Sequence, residues 1–404
     1  MRGMTCTRAA RQVNDVAADA DDEIQMELSR DRSTSALTPS LGRQRLGAPF
    51  ASVQCETRNC YFSDMEVAMM QTAHELPSKM KAAAIDRFGP PEVVHTEMLP
   101  VPRVGKNEIL VKVAIAGVGT WDPALIDGSF QDAKRRFPIV FGSDGAGTVV
   151  AVGAGVKRFT VGDRVYGWGF GNPKGGFFAE YVALKEKDAA LIPETVQFNE
   201  AGALAVAGIT ALQGLEALGL KPGQDLIIFG ASGGVGHVAV QLAKRLGLRV
   251  FAVASKADGV AVVERLGADG VVDGRGNAVI SRASTFAPDG FHGALVLTGG
   301  DNGWKEELKH VVKGGRVAWP NGVEPVPVAP RGRLRIPYDG EDSPQAFDRL
   351  HALIAAGPFH IELSKIYSLD DAAQALRDVQ GHHIGKLAVQ IHDSGNRGAS
   401  SAEQ

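Results

Sequence analysis

Asp225-Leu226-Ile227-Ile228-Phe229-Gly230-Ala231-Ser232-Gly233-Gly234-Val235-Gly236-His237 decides the fold. The run up to Phe229 is apolar and short, as in a strand buried on both faces. Val235, Ala239, Leu242 and Leu246 then recur at helical spacing, and Gly247 ends the helix. Between strand and helix stand residues with little or no side chain. Ala231, Gly233 and Gly236 fall at the three positions of a dinucleotide fingerprint. There the turn must be tight, the backbone must approach a pyrophosphate, and the helix must lie close to its strand. The first turn of the helix offers free N–H groups and a positive dipole end to an anion. Ala231, Ser232, Gly233, Gly234, Val235 and Gly236 are therefore candidate cofactor-binding residues.

Downstream, the rhythm stays strand then helix. A strand is expected over 248–254, a helix over 259–266 and a short strand over 270–272. The segments 294–297, 304–312 and 316–319 continue the series. This pattern predicts a doubly wound parallel sheet, a Rossmann domain over 205–325. The second strand runs into Ala254-Ser255-Lys256 with no acid to accept from ribose hydroxyls. Ser255 can donate and Lys256 can pair a 2′-phosphate, with Arg275 as a second cation, so NADP(H) is favoured over NAD. The competing reading has Asp258 reaching back to the ribose. Thr298-Gly299-Gly300 and Asn321-Gly322 follow strand ends on the carboxyl side of the sheet, which makes Thr298, Asn321 and Gly322 further candidates.

Upstream, residues 79–204 carry many short β-prone runs punctuated by glycine, the pattern of a barrel or sandwich. Residues 326–392 return to that first part through a Pro-rich loop, helices near 343–356 and 369–379, and a strand over 386–391. Residues 1–78 contain no lysine and few apolar runs, and are expected to be a disordered N-terminal extension. Residues 393–404 form a polar tail.

The 404-residue length gives two or three domains as a prior, at roughly 150 residues each. A net charge of −3 supplies no basic field for nucleic acid or an anionic membrane, so neither partner is expected. The three cysteines, Cys6, Cys55 and Cys60, all precede the main body. That excludes a disulfide scaffold and a thiolate zinc site there, and fits a reducing, cytoplasmic setting. The most apolar long window, residues 201–220, is broken by Thr210, Gln213, Glu216 and glycines, and reads as buried segments.

Met80-Lys81-Ala82, Phe88-Gly89-Pro90-Pro91-Glu92-Val93, Gly142-Ser143-Asp144-Gly145-Ala146-Gly147, Gly162-Asp163-Arg164-Val165, Phe178-Ala179-Glu180-Tyr181, Ala207-Gly208-Ile209-Thr210-Ala211, Leu266-Gly267-Ala268-Asp269 and Gly385-Lys386-Leu387 follow one another in a familiar order. With the glycine turn they resemble the medium-chain dehydrogenase/reductase superfamily, most closely its zinc-independent quinone oxidoreductase (zeta-crystallin-like) branch. The resemblance implies an α/β protein with a GroES-like β-barrel catalytic domain and a Rossmann domain, the cofactor lying between them. It also implies a homodimer, Thr210 beside the nicotinamide, and Lys386 near the cofactor or capping the domain interface.

Zinc-dependent relatives carry a Cys on the loop after the first long strand and a His-Glu pair in the glycine segment. Here the loop reads Gly117-Val118-Gly119-Thr120-Trp121-Asp122 and the segment Gly142-Ser143-Asp144-Gly145. No zinc is expected, since Asp144 alone cannot build a tetrahedral site. Without a Lewis acid, the easier reaction is hydride delivery to a quinone or enone, whose own π system spreads the developing charge. The branch usually has Asn where Gly119 stands and Tyr where Ala124 stands. Thr120 and Trp121 are the candidates to replace them at the substrate, with Asp122 as a catalytic residue or a ligand of the loop backbone. Trp168 and Phe170, with Phe177 and Phe178, read as an aromatic pocket wall or as barrel core. His237 reads as a cofactor contact or an exposed first-turn residue, and His382-His383 as a solvated loop. Three functions fit: an NADPH-dependent quinone or enone reductase, a zinc-independent alcohol or aldehyde oxidoreductase, and a non-catalytic NADP-binding protein.

Overall fold

Strand Asp225–Phe229 is the middle of a six-stranded sheet, and its interior residues Leu226, Ile227, Ile228 and Phe229 are all buried. The computed structural model describes residues 76–129 and 136–392, so the expectations for 1–78 and 393–404 fall outside the described residues, except at 76–78. The sheet runs Gly270–Asp273, Arg249–Ala254, Asp225–Phe229, Phe291–Val296, Val311–Pro320, Leu334–Tyr338, and every pairing is parallel. The chain order therefore reverses on either side of the central strand, and a crevice opens there at the carboxyl ends. Helices Gly236–Arg245, Lys256–Arg265 and Val279–Phe286 make the crossovers.

The crossover expected as a helix over 304–312 is different. It is a 3-10 turn, Glu307–His310, and the next strand begins at Val311. Val311 and Val312 are β-branched and a Gly-Gly pair follows, so strand pairing with Phe291 wins over a helix. The helix that follows Ala254 begins at Lys256, three residues earlier than the periodicity suggests.

The other half is antiparallel apart from one parallel pair. Strands Leu363–Ser368, Lys386–Gln390, Glu108–Val118, Asp144–Val152, Arg164–Trp168 and Ala189–Leu191 form one path, with Tyr181–Lys185 paired to Glu108–Val118. A smaller sheet, His95–Pro100, Lys79–Ile85 and Ile139–Val140, lies beside it. Phe141, Phe159, Phe177 and Phe178 fill this half. Phe177 and Phe178 are thus core, and not a pocket wall.

Both halves belong to one compact unit. Helix Ala205–Leu218 joins them and touches strands of each sheet. Its glycines permit this closeness. A Cβ at Gly214 would stand 2.3 Å from the Tyr338 hydroxyl, and one at Gly208 2.7 Å from Leu350. The apolar window 201–220 is this buried helix and its flanks. Among the described residues no helix is long and apolar enough to cross a membrane.

Candidate nucleotide-binding cleft and active site

The turn after Phe229 is built for closeness. Gly230 has φ +76°, a left-handed conformation that favours glycine. A Cβ at Gly236 would stand 2.1 Å from the Gly230 carbonyl oxygen, so only glycine lets the helix begin against its strand. At Gly233 the nearest atom to an added Cβ is 3.4 Å away, which leaves its outer side open. The turn faces a cavity of about 270 Å³ lined by Gly230, Ser232 to Gly236, Ser255, Thr298, Val118 to Trp121, Leu297, His382, His383 and Lys386. A second cavity, about 460 Å³, shares Gly230, Ser255 and Thr298 and continues past Arg275, Asn277, Asp301, Trp304 and Glu307. Bare backbone at the bend and an elongated cleft along the carboxyl ends fit a dinucleotide.

Lys386 enters this cavity from the barrel. It opens the strand Lys386–Gln390, next to Glu108–Val118, yet its side chain is only 3% exposed. Its ammonium stands 3.8 Å from the fully buried Asp144 carboxylate and 5.0 Å from the centre of the Trp121 ring. Among the described residues this ammonium donates to no protein atom. Burial pushes the Asp144 carboxyl up, and the Lys386 charge holds it down in part. A cation so placed has its donors free for an anion in the cleft.

The loop after Val118 is fixed by Asp122. One carboxylate oxygen accepts from the Gly119 N–H at 2.8 Å, and the other from the Ser143 hydroxyl at 2.6 Å. Ser143 in turn accepts from the Trp121 indole N–H at 2.8 Å. Asp122 is fully buried and lines neither cavity, so it positions the loop. Burial raises its pKa to about 6, while the Ser143 and Gly119 hydrogen bonds oppose the rise.

The same chain of bonds sets the indole where a side chain at 119 would go. A Cβ added to Gly119 would meet the Trp121 ring at 2.2 Å. Gly119, Ser143 and Asp144 offer one carboxylate and neither thiol nor imidazole, and the ring takes up the room. These residues do not fit a tetrahedral zinc. Among the described residues, the grouping Asp86, His95 and Glu97 has ligand atoms close enough for a cation, but it lies on the small sheet, outside both cavity linings.

Other candidates are less gathered. Lys256 has φ +63° and donates its N–H to Asp273 at 3.2 Å; its side chain lines neither cavity. Arg275 does line the second one, with its guanidinium held by Asp273 at 2.9 Å. Thr210 is buried beneath Gly340, and its carbonyl accepts from the Tyr338 hydroxyl at 3.0 Å. Asn321 and Gly322 are exposed, Trp168 is 9% and Phe170 37% exposed, and none of the four lines either cavity.

The structure also adds residues. His382 and His383 line the smaller cavity, with His382 3.3 Å from Asp258, so this segment is not simply solvated. Trp304 lines the larger one, its indole N–H on the Thr298 carbonyl at 2.6 Å. His237 is fully buried, which corrects its reading as a cofactor contact or an exposed residue.

Comparison with known proteins gives this geometry a family. Residues 105–194 match the alcohol dehydrogenase GroES-like domain, and 234–320 match the zinc-binding dehydrogenase family. An alcohol dehydrogenase of Schizosaccharomyces pombe is 34% identical over 248 residues, 55% of this chain and 71% of that protein. The chain belongs to the medium-chain dehydrogenase/reductase superfamily. Within the superfamily, a 2-methylene-furan-3-one reductase of Solanum lycopersicum is 36% identical over 52% of this chain and 56% of that protein. The solved quinone oxidoreductase of Coxiella burnetii is 28% identical with a TM-score of 0.68, covering 78% of this chain and all of that one. The superfamily's oxidoreductase fold, with GroES-like and Rossmann-like halves, is thus that of this protein.

Proposed function

We propose that the protein is an NADPH-dependent, zinc-independent oxidoreductase that reduces a quinone or an α,β-unsaturated carbonyl. One observation carries this reading: the Trp121 indole takes the space beside Gly119 at the head of a cleft built on a glycine turn. When bound, a reduced nicotinamide supplies the hydride. The chain supplies the rest. The turn's amides and Lys386 hold the phosphates. Val118, Leu297 and the Trp121 face keep water away, and the exposed Thr120 hydroxyl is the hydrogen-bond donor on offer at the acceptor. An acceptor with its own conjugation suits a site so poor in polar groups. The resemblance to the tomato reductase and the Coxiella quinone oxidoreductase supports that class of substrate.

NADP(H) is preferred because no carboxylate stands in the 254–256 segment and Arg275 lines the larger cavity. NADH draws support from Asp273, which holds that arginine, and from the buried Oε2 of Glu307 in the same lining, which has no hydrogen-bond partner among the described residues. Titration with both nucleotides decides between them. Gly233→Asp is the clean test of the site, since its Cβ has room in the free protein. The variant should keep the wild-type thermal transition within a few degrees and lose nucleotide binding by about a hundredfold or more, as a charge placed against phosphate demands. Unchanged affinity would sink the proposal, as would stoichiometric zinc in active enzyme. Acceptor turnover is then read on a quinone, an enone and a simple alcohol.

A further inference from the structure

Helix Gly236–Arg245 carries a polar stripe on its inner side. His237, Gln241 and Arg245, four residues apart, each bond to the backbone of the segment that leads into strand Leu363–Ser368. Arg245 donates to the Leu353 carbonyl at 2.8 Å and the Pro358 carbonyl at 2.6 Å. Gln241 donates to the His360 carbonyl at 2.8 Å and accepts from its N–H at 3.0 Å. His237 differs from the other two. Its Nε2 accepts from the Glu362 N–H at 3.2 Å, while its Nδ1 stands 2.9 Å from the Gly233 carbonyl oxygen, inside the glycine turn. A carbonyl only accepts and a backbone N–H only donates, so Nδ1 carries the proton and Nε2 the lone pair. Nothing else satisfies both partners at once.

The far side of this link leads to the cleft cation. Glu362 accepts from the Lys386 N–H at 2.8 Å, and the Gly385 N–H donates to the Ser232 carbonyl at 2.8 Å. A Cβ on Gly234 would stand 3.0 Å from Lys386 Cδ. The turn and Lys386 thus belong to different halves of the fold but are tied at two points, one of which is the imidazole.

We propose that His237 is a positioning residue: as the neutral Nδ1-protonated tautomer it ties the phosphate-binding turn to the return segment that carries Lys386, and so fixes the spacing between the turn's amides and the Lys386 ammonium. A bound dinucleotide then meets both sets of donors without reorganisation. Burial supports the neutral form, holding the imidazole down at about 4, with the Lys386 charge acting in the same direction. This inference rests on the nucleotide reading of the turn. The two are separable, because the tautomer is measured without nucleotide and the wild-type titration tests the site alone.

Selective ¹⁵N-histidine labelling, with the His237 resonances identified by their loss in His237→Gln, should show Nδ1 protonated and Nε2 bare. His237→Leu leaves the Gly233 carbonyl and Glu362 N–H without their partner. It should weaken NADPH about tenfold, the size of one buried hydrogen bond lost. The KM for NADPH should rise about tenfold while kcat stays within about threefold of wild type, as for lost uniform binding. His237→Gln, able to donate and accept, should recover affinity to within about threefold of wild type. Gln241→Leu breaks the neighbouring pair and the Gln241 bond to the His237 carbonyl, but leaves both partners of the imidazole in place, and should lower Tm while leaving affinity unchanged. The proposal is overturned by a bare Nδ1, by wild-type affinity in His237→Leu, or by an equal loss in Gln241→Leu. Should His237→Leu not fold, the tautomer and the His237→Gln affinity still decide.

Discussion

Lys386 and Asp144 show how much one buried charge depends on another. Both are almost fully removed from water, and their charged atoms stand 3.8 Å apart. Such pairs contribute little by existing, yet removing one member strands its partner, at about 3–5 kcal/mol. Lys386→Met is therefore expected to lose stability of that order and to bind NADPH poorly. Adding Asp144→Asn should restore most of the stability and none of the binding. Urea denaturation and nucleotide titration of the single and double variants separate the two effects. A double variant no more stable than Lys386→Met alone refutes the pairing. Lys386 was legible through its Gly-Lys element, but Asp144 as its partner was not. The two lie on strands separated by Glu108–Val118, and only the sheet order brings them together.

At the scale of elements, the loop Gly119 to Asp122 and the glycine turn face each other across the cleft, and each keeps its shape through a glycine. In the loop, Trp121 is stapled by Ser143, which is stapled by Asp122. Introducing a thiol with Gly119→Cys drives its Cβ into the indole. We expect overpacking of about 1–3 kcal/mol, largely relieved in a Trp121→Ala background. Calorimetry of the double-mutant cycle reads this coupling, and additive losses would show that the ring does not hold that space. The turn was readable because a strand, small residues and a helical stripe stood in sequence. The 304–312 segment was misread because its apolar spacing suits a helix, while Phe291–Val296 offers it a strand to pair with. Lys256 lines neither cavity and has a left-handed φ of +63°, a backbone feature that no residue type announces.

For the whole molecule, acid stability reads two buried groups at once. Asp122 is raised from 3.8 to about 6, so the folded protein binds the extra proton and stability falls as pH rises through that window. His237 is lowered from 6.5 to about 4, so the unfolded chain binds the extra proton. Its stabilisation is complete above 6.5 and lost as pH falls to 4. The two slopes oppose each other. His237→Gln removes one of them. The stability of that variant relative to wild type should thus climb between pH 7 and pH 4, by on the order of 3 kcal/mol. A difference independent of pH would refute the buried neutral imidazole. Sequence alone left His237 divided between a cofactor contact and the surface, because burial here comes from the return segment 353–362, more than a hundred residues away. Much of the order of elements was legible, the segments 304–312 and 334–338 apart; which of them would touch was not.

The return strand Lys386–Gln390 has a further consequence for how the chain is made. It lies between Leu363–Ser368 and Glu108–Val118, so the barrel path waits for the last strand described. The six parallel strands are contiguous from 225 to 338 and need nothing from it. During vectorial synthesis the nucleotide half can settle while the barrel still has a missing rung. A message cut short before codon 386 yields a protein with a finished turn, no cleft cation and an exposed sheet edge along Ile115–Val118, a species for quality control to remove.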